Sequence, residues 1–282
     1  MNLEKAVKKA SQILKNHNIH SHELDAQVML SDIMGVTREF LIINDQLTIS
    51  KKIKEKYDNA IKRRIKREPV AYILGKKEFW SRNFKINSFT LVPRPETELL
   101  IYEVVKYFKN KKVNILDIGT GSGCILLTIL KELQFSRGIG IDISAKAIKI
   151  AKENSENFNL LNRSKFKIFD ISSFNLGKYD LIISNPPYIP FKDIRNLSTD
   201  IINFEPIVAL NGGNDGLDLI KKVIYKSTKL LKKSGLLAIE IGNKQYFKVS
   251  NILNQHGFKE ASKIYDYNHN VRCIMSTKVR FS

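Results

Sequence analysis

An apolar run that ends in a glycine-rich loop constrains the fold of this chain more than any other feature. The run is Val113–Ile118, and the loop that follows reads Gly-Thr-Gly-Ser-Gly over residues 119–123. A short apolar run bounded by turn residues predicts a buried strand of a parallel sheet. Glycines let the backbone turn sharply and approach a ligand, and a helix beginning at Cys124 would present free N–H groups. We therefore predict a strand–loop–helix unit that binds a ligand.

Strands and helices alternate along the rest of the chain. Strands are predicted at residues 113–118, 138–143, 165–169, 179–184, 236–241, 258–264 and 271–277, with helices between most of them. This alternation predicts an α/β fold with a seven-stranded, doubly wound parallel sheet. Ligands of such sheets bind beyond the carboxyl ends of the strands, at the switch point near the first strand. Residues 185–215 are predicted to form a long, mostly irregular insertion.

The first 75 residues have the pattern of helices instead. One helical stripe comprises Leu3, Ala6, Val7, Ala10, Ile13 and Leu14. Three further helices are predicted from Ser21, around 38–43 and from Ser50 to Arg67, where Pro69 follows. The stretch 72–92 is rich in aromatic and β-branched residues and predicts a β-hairpin. The chain thus divides into an N-terminal helical bundle (1–75), a β-hairpin linker (76–93) and an α/β domain (94–282).

The net charge of +19, from 47 basic and 28 acidic residues, suggests a nucleic-acid partner at first, because basic surfaces attract phosphate. The excess is spread along the chain, and a lysine-rich composition accounts for it equally well. Only the segment 51–67 stands out, with nine basic and two acidic residues. It could contact RNA or an acidic protein, or form a solvated helix face. All three interpretations stay open.

Composition excludes several other classes. No apolar run approaches the roughly 20 residues that span a bilayer, and the start lacks the apolar core of a secretory signal. Two cysteines, Cys124 and Cys273, are too few for a disulfide scaffold and indicate a reducing compartment. We therefore expect a cytoplasmic protein without a membrane partner. The five histidines lie outside the motifs below, and we expect no metal site.

Two aspartates end predicted strands beside the glycine loop. Asp142 follows the second strand and could accept hydrogen bonds from the ribose hydroxyls of an adenosine cofactor. Asp170 follows the third strand and could accept from an adenine amino group, with Ile171 packed beside the ring. Either aspartate could instead serve as a cap or turn residue, but the glycine loop favours the cofactor for Asp142.

The sharpest motif is Asn185-Pro186-Pro187-Tyr188, directly after the fourth predicted strand. The Asn185 side-chain carbonyl and the Pro186 backbone carbonyl can each accept one N–H from a planar substrate nitrogen. The two prolines hold this geometry with little freedom, and the Tyr188 ring can stack on the planar group. The motif therefore predicts transfer of a group to an amino or amide nitrogen.

Together the glycine loop, Asp142 and this motif resemble the class I S-adenosylmethionine-dependent methyltransferases that act on amino groups. Further motifs occur in the order found in the release factor glutamine methyltransferases: residues 67–75, 91–98, 184–189, Phe204-Glu205-Pro206, 213–218, Glu240-Ile241-Gly242 and Gln245. The resemblance covers roughly residues 20–277. The departures are Val92, where the family usually has Ile, and a more lysine-rich bundle; neither touches the proposed chemistry.

This resemblance implies a Rossmann-like methyltransferase sheet, and a reaction. The methyl donor would be S-adenosylmethionine, which leaves as S-adenosylhomocysteine, and the acceptor would be the side-chain amide N5 of the Gln in the Gly-Gly-Gln motif of peptide chain release factors. The cofactor residues would be Gly119, Thr120, Gly121, Ser122, Gly123, Asp142, Asp170, Ile171 and Asn185. The substrate would contact Asn185, Pro186, Pro187 and Tyr188, of which Asn185, Pro186 and Tyr188 are the catalytic candidates.

The resemblance also assigns supporting roles. The bundle would recognise the substrate, Arg94, Glu96 and Glu98 would order a loop over the site, and Glu205-Pro206 would close the substrate cleft. We expect a monomer that does not require contact with nucleic acid.

The sequence is also compatible with three alternatives to release factor methylation. A DNA or RNA amino-methyltransferase could use the same Asn-Pro-Pro-Tyr motif, and the basic charge favours this function. The lack of a separate target-recognition domain argues against it. A non-catalytic protein that only binds the cofactor would not need this motif. A nicotinamide-dependent oxidoreductase is disfavoured because the third glycine of the loop comes one residue early for the dinucleotide fingerprint.

Overall fold

The computed structural model describes residues 1–279 of the 282-residue chain. The chain forms two compact units. One comprises residues 1–76 and 198–204, and the other comprises residues 77–197 together with the chain from Glu205 onward. The boundaries drawn from the sequence at residues 75 and 93 stay a prediction. Within residues 1–279, no helix combines the length and the apolar composition needed to cross a membrane.

The described residues contain eleven α-helices and two short 3-10 helices. The α-helices are α1 (Leu3–Asn16), α2 (His22–Met34), α3 (Arg38–Ile43), α4 (Lys51–Ile65), α5 (Val70–Leu74), α6 (Pro95–Tyr107), α7 (Cys124–Glu132), α8 (Ala145–Asn157), α9 (Thr199–Phe204), α10 (Asp218–Leu230) and α11 (Tyr246–Gln255). The 3-10 helices are Phe191–Asn196 and Ile207–Ala209.

Nine strands complete the described residues. They are β1 (Lys76–Phe79), β2 (Arg82–Lys85), β3 (Asn114–Ile118), β4 (Arg137–Asp142), β5 (Ser164–Ile168), β6 (Tyr179–Ser184), β7 (Leu231–Glu240), β8 (Phe258–Tyr265) and β9 (Val271–Lys278). β1 and β2 form a two-stranded sheet of their own, and the other seven form one sheet.

In the first unit, α1–α4 confirm the helices predicted from the apolar spacing. Their buried faces form one apolar cluster, which includes Leu3, Leu14 and Tyr57, and Ser50, directly before α4, accepts a hydrogen bond from the N–H of Ile53. The predicted hairpin begins later than the aromatic pattern indicated. Residues 70–74 are helical because Pro69 precedes them and Gly75, with φ of +72°, ends the turn.

The basic segment 51–67 does not present all its charges to solvent. Arg64 is 6% exposed and donates hydrogen bonds to Asp25 (2.7 Å) and Asp200 (2.6 Å) within the first unit. Arg63 pairs with Glu68, and Arg67 donates to two backbone carbonyls at the end of α1. The free basic face of α4 therefore consists of lysines, and the arginines hold the bundle together.

The seven-stranded sheet has the order β5-β4-β3-β6-β7-β9-β8. β5, β4, β3, β6 and β7 are parallel, which confirms the α/β, doubly wound fold. The sheet is not parallel throughout, because β9 runs antiparallel to both β7 and β8. The physical reason is the connection: only residues 266–270 join β8 to β9, which is too short for the crossover that a parallel pair needs.

Helices cover both faces of this sheet. One apolar cluster contains buried residues of α6, α7 and α8, and a second contains those of α10 and α11. Ser144, directly before α8, accepts a hydrogen bond from the N–H of Ala147 and caps this helix. The switch point lies at β3, which has β4 on one side and β6 on the other. Helices therefore pack against both faces of the sheet where these strands end.

Replacing Arg64 should destabilise the helical bundle. Arg64→Met leaves the Asp25 carboxylate, 7% exposed, without a cation, and breaking a buried pair in this way costs about 3–5 kcal/mol. Lys62→Met is the matched control on the same helix, because Lys62 is exposed, and it should change stability by less than about 0.5 kcal/mol. Urea unfolding measures both, and equal effects would contradict the assignment.

Candidate active site

A cavity of about 420 Å³ opens in the second unit at the carboxyl ends of the parallel strands. Its wall includes Gly119, Asp142, Asp170 and Asn185, which follow or end β3, β4, β5 and β6 respectively. These strands are neighbours in the sheet, so the topology brings together residues that are far apart in sequence. The sequence had placed the ligand at this edge.

The glycine loop 119–123 forms one wall of the cavity through its backbone. Gly119 and Gly121 have φ of +73° and +55°, and the space that a Cβ would occupy at either glycine is open. Both glycines line the cavity. Thr120 and Ser122, 3% and 2% exposed, are buried beneath the loop, and a Cβ at Gly123 would press on Phe166. The loop thus offers backbone to a ligand and uses its side chains for packing.

Asp142 is fixed by the loop that it faces. Its carboxylate accepts hydrogen bonds from the N–H of Gly121 (3.0 Å) and of Ser144 (2.9 Å). A carboxylate has about four acceptor sites, so Asp142 keeps capacity for a ligand while it orients the loop. Burial raises its pKa.

The predicted adenine-side residues also line the cavity. Asp170 is exposed and accepts a hydrogen bond from the N–H of Ser172 (2.6 Å), which lowers its pKa. Ile171 is buried next to it, 5% exposed. Asp170 is therefore both a turn residue and a cavity residue.

A further aspartate lies beneath the loop. Asp117 is fully buried at the end of β3, and this burial raises its pKa to about 7. One carboxylate oxygen accepts a hydrogen bond from the Thr120 hydroxyl (2.6 Å), and the other has no partner among residues 1–279. The Asp117–Thr120 bond ties the glycine loop to the strand before it.

The Asn185 side chain is held by a hydrogen bond to a residue of α6. Its side-chain N–H donates to the Thr97 hydroxyl (3.1 Å). Within the described chain, no hydrogen bond is made to the Asn185 side-chain oxygen or to the Pro186 carbonyl oxygen. The two acceptors predicted to bind a substrate nitrogen are therefore available.

The remaining residues of the motif occupy different surroundings. Pro187 lines the cavity with Asn185, whereas Pro186 is buried. Tyr188 lines a second cavity of about 420 Å³, and the Arg272 guanidinium lies 5.5 Å from its ring centroid. Gln245 holds this segment by donating to the Tyr188 carbonyl (3.0 Å) and accepting from the N–H of Gly242 (2.8 Å).

Glu240, at the end of β7, is a site residue to which the sequence patterns assigned no role. It is fully buried and accepts hydrogen bonds from the hydroxyls of Thr97 (2.6 Å) and Tyr188 (3.3 Å). Burial raises the pKa of Glu240, while these hydrogen bonds and the charge of Arg272 oppose the rise. Burial, with the charge of Glu240, also raises the pKa of Tyr188 to about 12. A lone carboxylate within the otherwise apolar run 236–241 was the available signal.

The insertion is fastened at Glu205, where the chain re-enters the second unit. Glu205, 5% exposed, accepts hydrogen bonds from Arg94 (2.6 Å) and from the N–H of Val92 (3.3 Å). The residues that follow, Pro206, Val208 and Ala209, line the cavity. Glu98 acts elsewhere, because it accepts from the N–H of Trp80 at the turn between β1 and β2.

No group of three or more metal-binding side chains occurs within residues 1–279. The two cysteines are unpaired, and burial raises the pKa of Cys124 to about 12.

Comparison with known proteins decides the family. The family described as PrmC N-terminal domain matches residues 5–75, and the family described as methyltransferase domain matches residues 109–276. A release factor glutamine methyltransferase of Caulobacter vibrioides is 35% identical over 99% of this chain and 97% of its own length. Another, of Clostridium acetobutylicum, is 36% identical over 99% of this chain and 99% of its own length. The chain belongs to the release factor glutamine methyltransferase family.

The resemblance read from the motifs is thereby confirmed, and so are the enzyme class and the cofactor, S-adenosylmethionine. Among solved structures, a methyltransferase of Pyrococcus furiosus shares the fold with a TM-score of 0.55 at 16% identity, covering 79% of this chain and all of that chain.

The cavity of this family member fits the cofactor. The space above Gly119 and Gly121 is open to a ligand, and Asp142 keeps acceptor sites that the loop does not use. Ile171 and Phe169 add apolar surface of the kind that covers an adenine ring.

Replacing Arg94 should weaken cofactor binding from a distance. Arg94→Met leaves the buried Glu205 without its cation and loosens residues 205–209, of which Pro206, Val208 and Ala209 line the cavity. We expect the Kd for S-adenosylhomocysteine to rise about tenfold, equivalent to about 1.4 kcal/mol. Lys221→Met is the control, because Lys221 forms an exposed ion pair with Asp215. Calorimetric titration measures both variants, and an unchanged Kd for Arg94→Met would refute the role of the pair.

Proposed function

We propose that this protein methylates the side-chain amide nitrogen, N5, of the Gln in the Gly-Gly-Gln motif of peptide chain release factors. One observation carries the proposal: Asn185 lines the cavity, and neither its side-chain oxygen nor the neighbouring Pro186 carbonyl oxygen has a hydrogen-bond partner among residues 1–279. Two adjacent acceptors suit a nitrogen that carries two N–H groups. The printed names of the curated relatives supply the substrate class.

The cofactor would be held by the cavity residues. Gly119 and Gly121 would bind its methionine part through the backbone, supported by the packing of Thr120, Ser122 and Gly123. Asp142 would accept from the ribose hydroxyls, and Asp170 with Ile171 would surround the adenine. When bound, S-adenosylmethionine supplies an activated methyl group on a positively charged sulfur.

The contribution of the chain is to position the acceptor nitrogen. An amide nitrogen is a poor nucleophile because its lone pair is delocalised. Two carbonyl oxygens, each accepting a hydrogen bond from one N–H of the amide, orient this nitrogen and stabilise the positive charge that develops on it. Orientation of this kind can contribute roughly 7–11 kcal/mol in favourable cases.

The prolines and Tyr188 support this geometry. Pro186 and Pro187 restrict the backbone whose carbonyl acts as acceptor. Tyr188 is anchored by its hydroxyl to Glu240, which fixes the end of the segment that carries both acceptors; its ring lines the second cavity instead of the one that Asn185 lines, so the predicted stacking on the substrate amide gains no support from this geometry.

Transfer of labelled methyl groups tests the proposal. The full chain is incubated with labelled S-adenosylmethionine and, separately, with a release factor, with the same factor carrying Ala in place of the Gly-Gly-Gln glutamine, with DNA and with RNA. We expect label on the unaltered factor alone. Label on DNA or RNA but not on the factor would replace the proposal with a nucleic-acid methyltransferase, and no transfer at all would favour a binding protein.

Asn185→Ala separates chemistry from cofactor binding. Removal of the acceptor oxygen should lower the transfer rate by at least about 100-fold, while the Kd for S-adenosylhomocysteine stays within about twofold. Equal losses of the transfer rate and of the affinity for S-adenosylhomocysteine would make Asn185 a structural residue.

A further inference from the structure

Five side chains form a directed hydrogen-bond network, whose two branches both end at Glu240. Asn185 donates to the Thr97 hydroxyl (3.1 Å), and Thr97 donates to one oxygen of Glu240 (2.6 Å). From the other side, Arg272 donates to the Tyr188 hydroxyl (3.1 Å), which donates to the second oxygen of Glu240 (3.3 Å). All donors point towards the buried carboxylate.

The direction of the network follows from counting protons. A hydroxyl has one proton, and Thr97 donates it in a hydrogen bond to ionised Glu240, at a distance typical of a charge-assisted bond. Thr97 can then only accept from Asn185. A flipped Asn185 amide would place two acceptor oxygens against each other at 3.1 Å.

Burial makes this direction costly to reverse. Thr97 is 2% exposed and Glu240 is fully buried, so water does not replace a lost partner. An unsatisfied buried donor or acceptor costs about 1–3 kcal/mol. In the ionised form of Glu240 both oxygens accept a hydrogen bond, and Arg272 supplies a positive charge on the far side of Tyr188.

We propose that Glu240 is a positioning residue: acting through Thr97, it holds the Asn185 amide with its NH₂ group inward and its carbonyl oxygen towards the substrate. The same carboxylate holds the Tyr188 hydroxyl, so one buried charge sets both ends of the Asn-Pro-Pro-Tyr motif. With its carbonyl oxygen towards the substrate, the Asn185 amide can bind only a substrate group that donates an N–H. The orientation of this one amide therefore selects for an amino or amide nitrogen. The inference rests on the proposed function, because this orientation matters only when the substrate nitrogen is a donor.

Thr97→Val tests the inference, because it keeps the shape of the side chain and removes the hydroxyl. We expect kcat to fall roughly 10–100-fold through misorientation of Asn185, with the Kd for S-adenosylhomocysteine and the unfolding temperature close to wild type. Thr97→Ser retains the hydroxyl and should restore most of kcat. Thr128→Val is the matched control, since Thr128 is equally buried and its hydroxyl has no partner in the described chain.

A spectroscopic measurement keeps the test independent of substrate. In ¹⁵N-labelled protein, the Asn185 side-chain N–H that donates to Thr97 should resonate downfield and exchange slowly with water; Asn185→Ser identifies it. Thr97→Val should shift this resonance and speed its exchange, whereas Thr97→Ser and Thr128→Val should not.

The outcomes separate the two proposals. Unchanged Asn185 amide resonances and unchanged kcat in Thr97→Val would overturn the positioning role, as would failure of Thr97→Ser to restore activity. A wild-type protein that does not methylate a release factor would overturn the proposed function, and the amide resonances would then decide the positioning role alone.

Discussion

Parallel pairing of β3 with β4 on one side and β6 on the other determines where the functional groups of the second unit lie. Strands that run in the same direction end at the same edge, so the residues that follow them meet there. The glycine loop, Asp142 and Asn185 all come directly after or at the end of these three strands. The chemistry of the site is therefore built on backbone that is held by the sheet and by helices on both faces.

A few buried charges then determine finer positions. Each has specific partners, as a charge in a low-dielectric interior requires. Glu205 holds the insertion through Arg94 and the Val92 N–H, and Arg64 holds two aspartates within the first unit. Glu240 holds residues from α6 and from the motif after β6. In segment 51–67 the arginines bond to groups of the first unit and do not form a free basic surface.

Local patterns predicted the fold and the place of the site because strand runs, glycine turns and the Asn-Pro-Pro-Tyr motif are short-range signals. The antiparallel β9 was not predicted, since apolar periodicity does not encode strand direction. The helix at 70–74 was missed because the aromatic composition outweighed the flanking Pro69 and Gly75. The Thr97–Glu240 bond joins residues 143 positions apart, and no pattern within one segment reveals such a pair.

The orientation of the substrate amide is tested most directly by a crystal structure of the protein with S-adenosylhomocysteine and a peptide that carries Gly-Gly-Gln. We expect the glutamine side-chain nitrogen to lie within about 2.7–3.2 Å of both the Asn185 side-chain oxygen and the Pro186 carbonyl oxygen, with the Asn185 NH₂ group still bonded to Thr97. A glutamine that turns its carbonyl oxygen towards Asn185, or that binds away from both acceptors, would contradict this expectation.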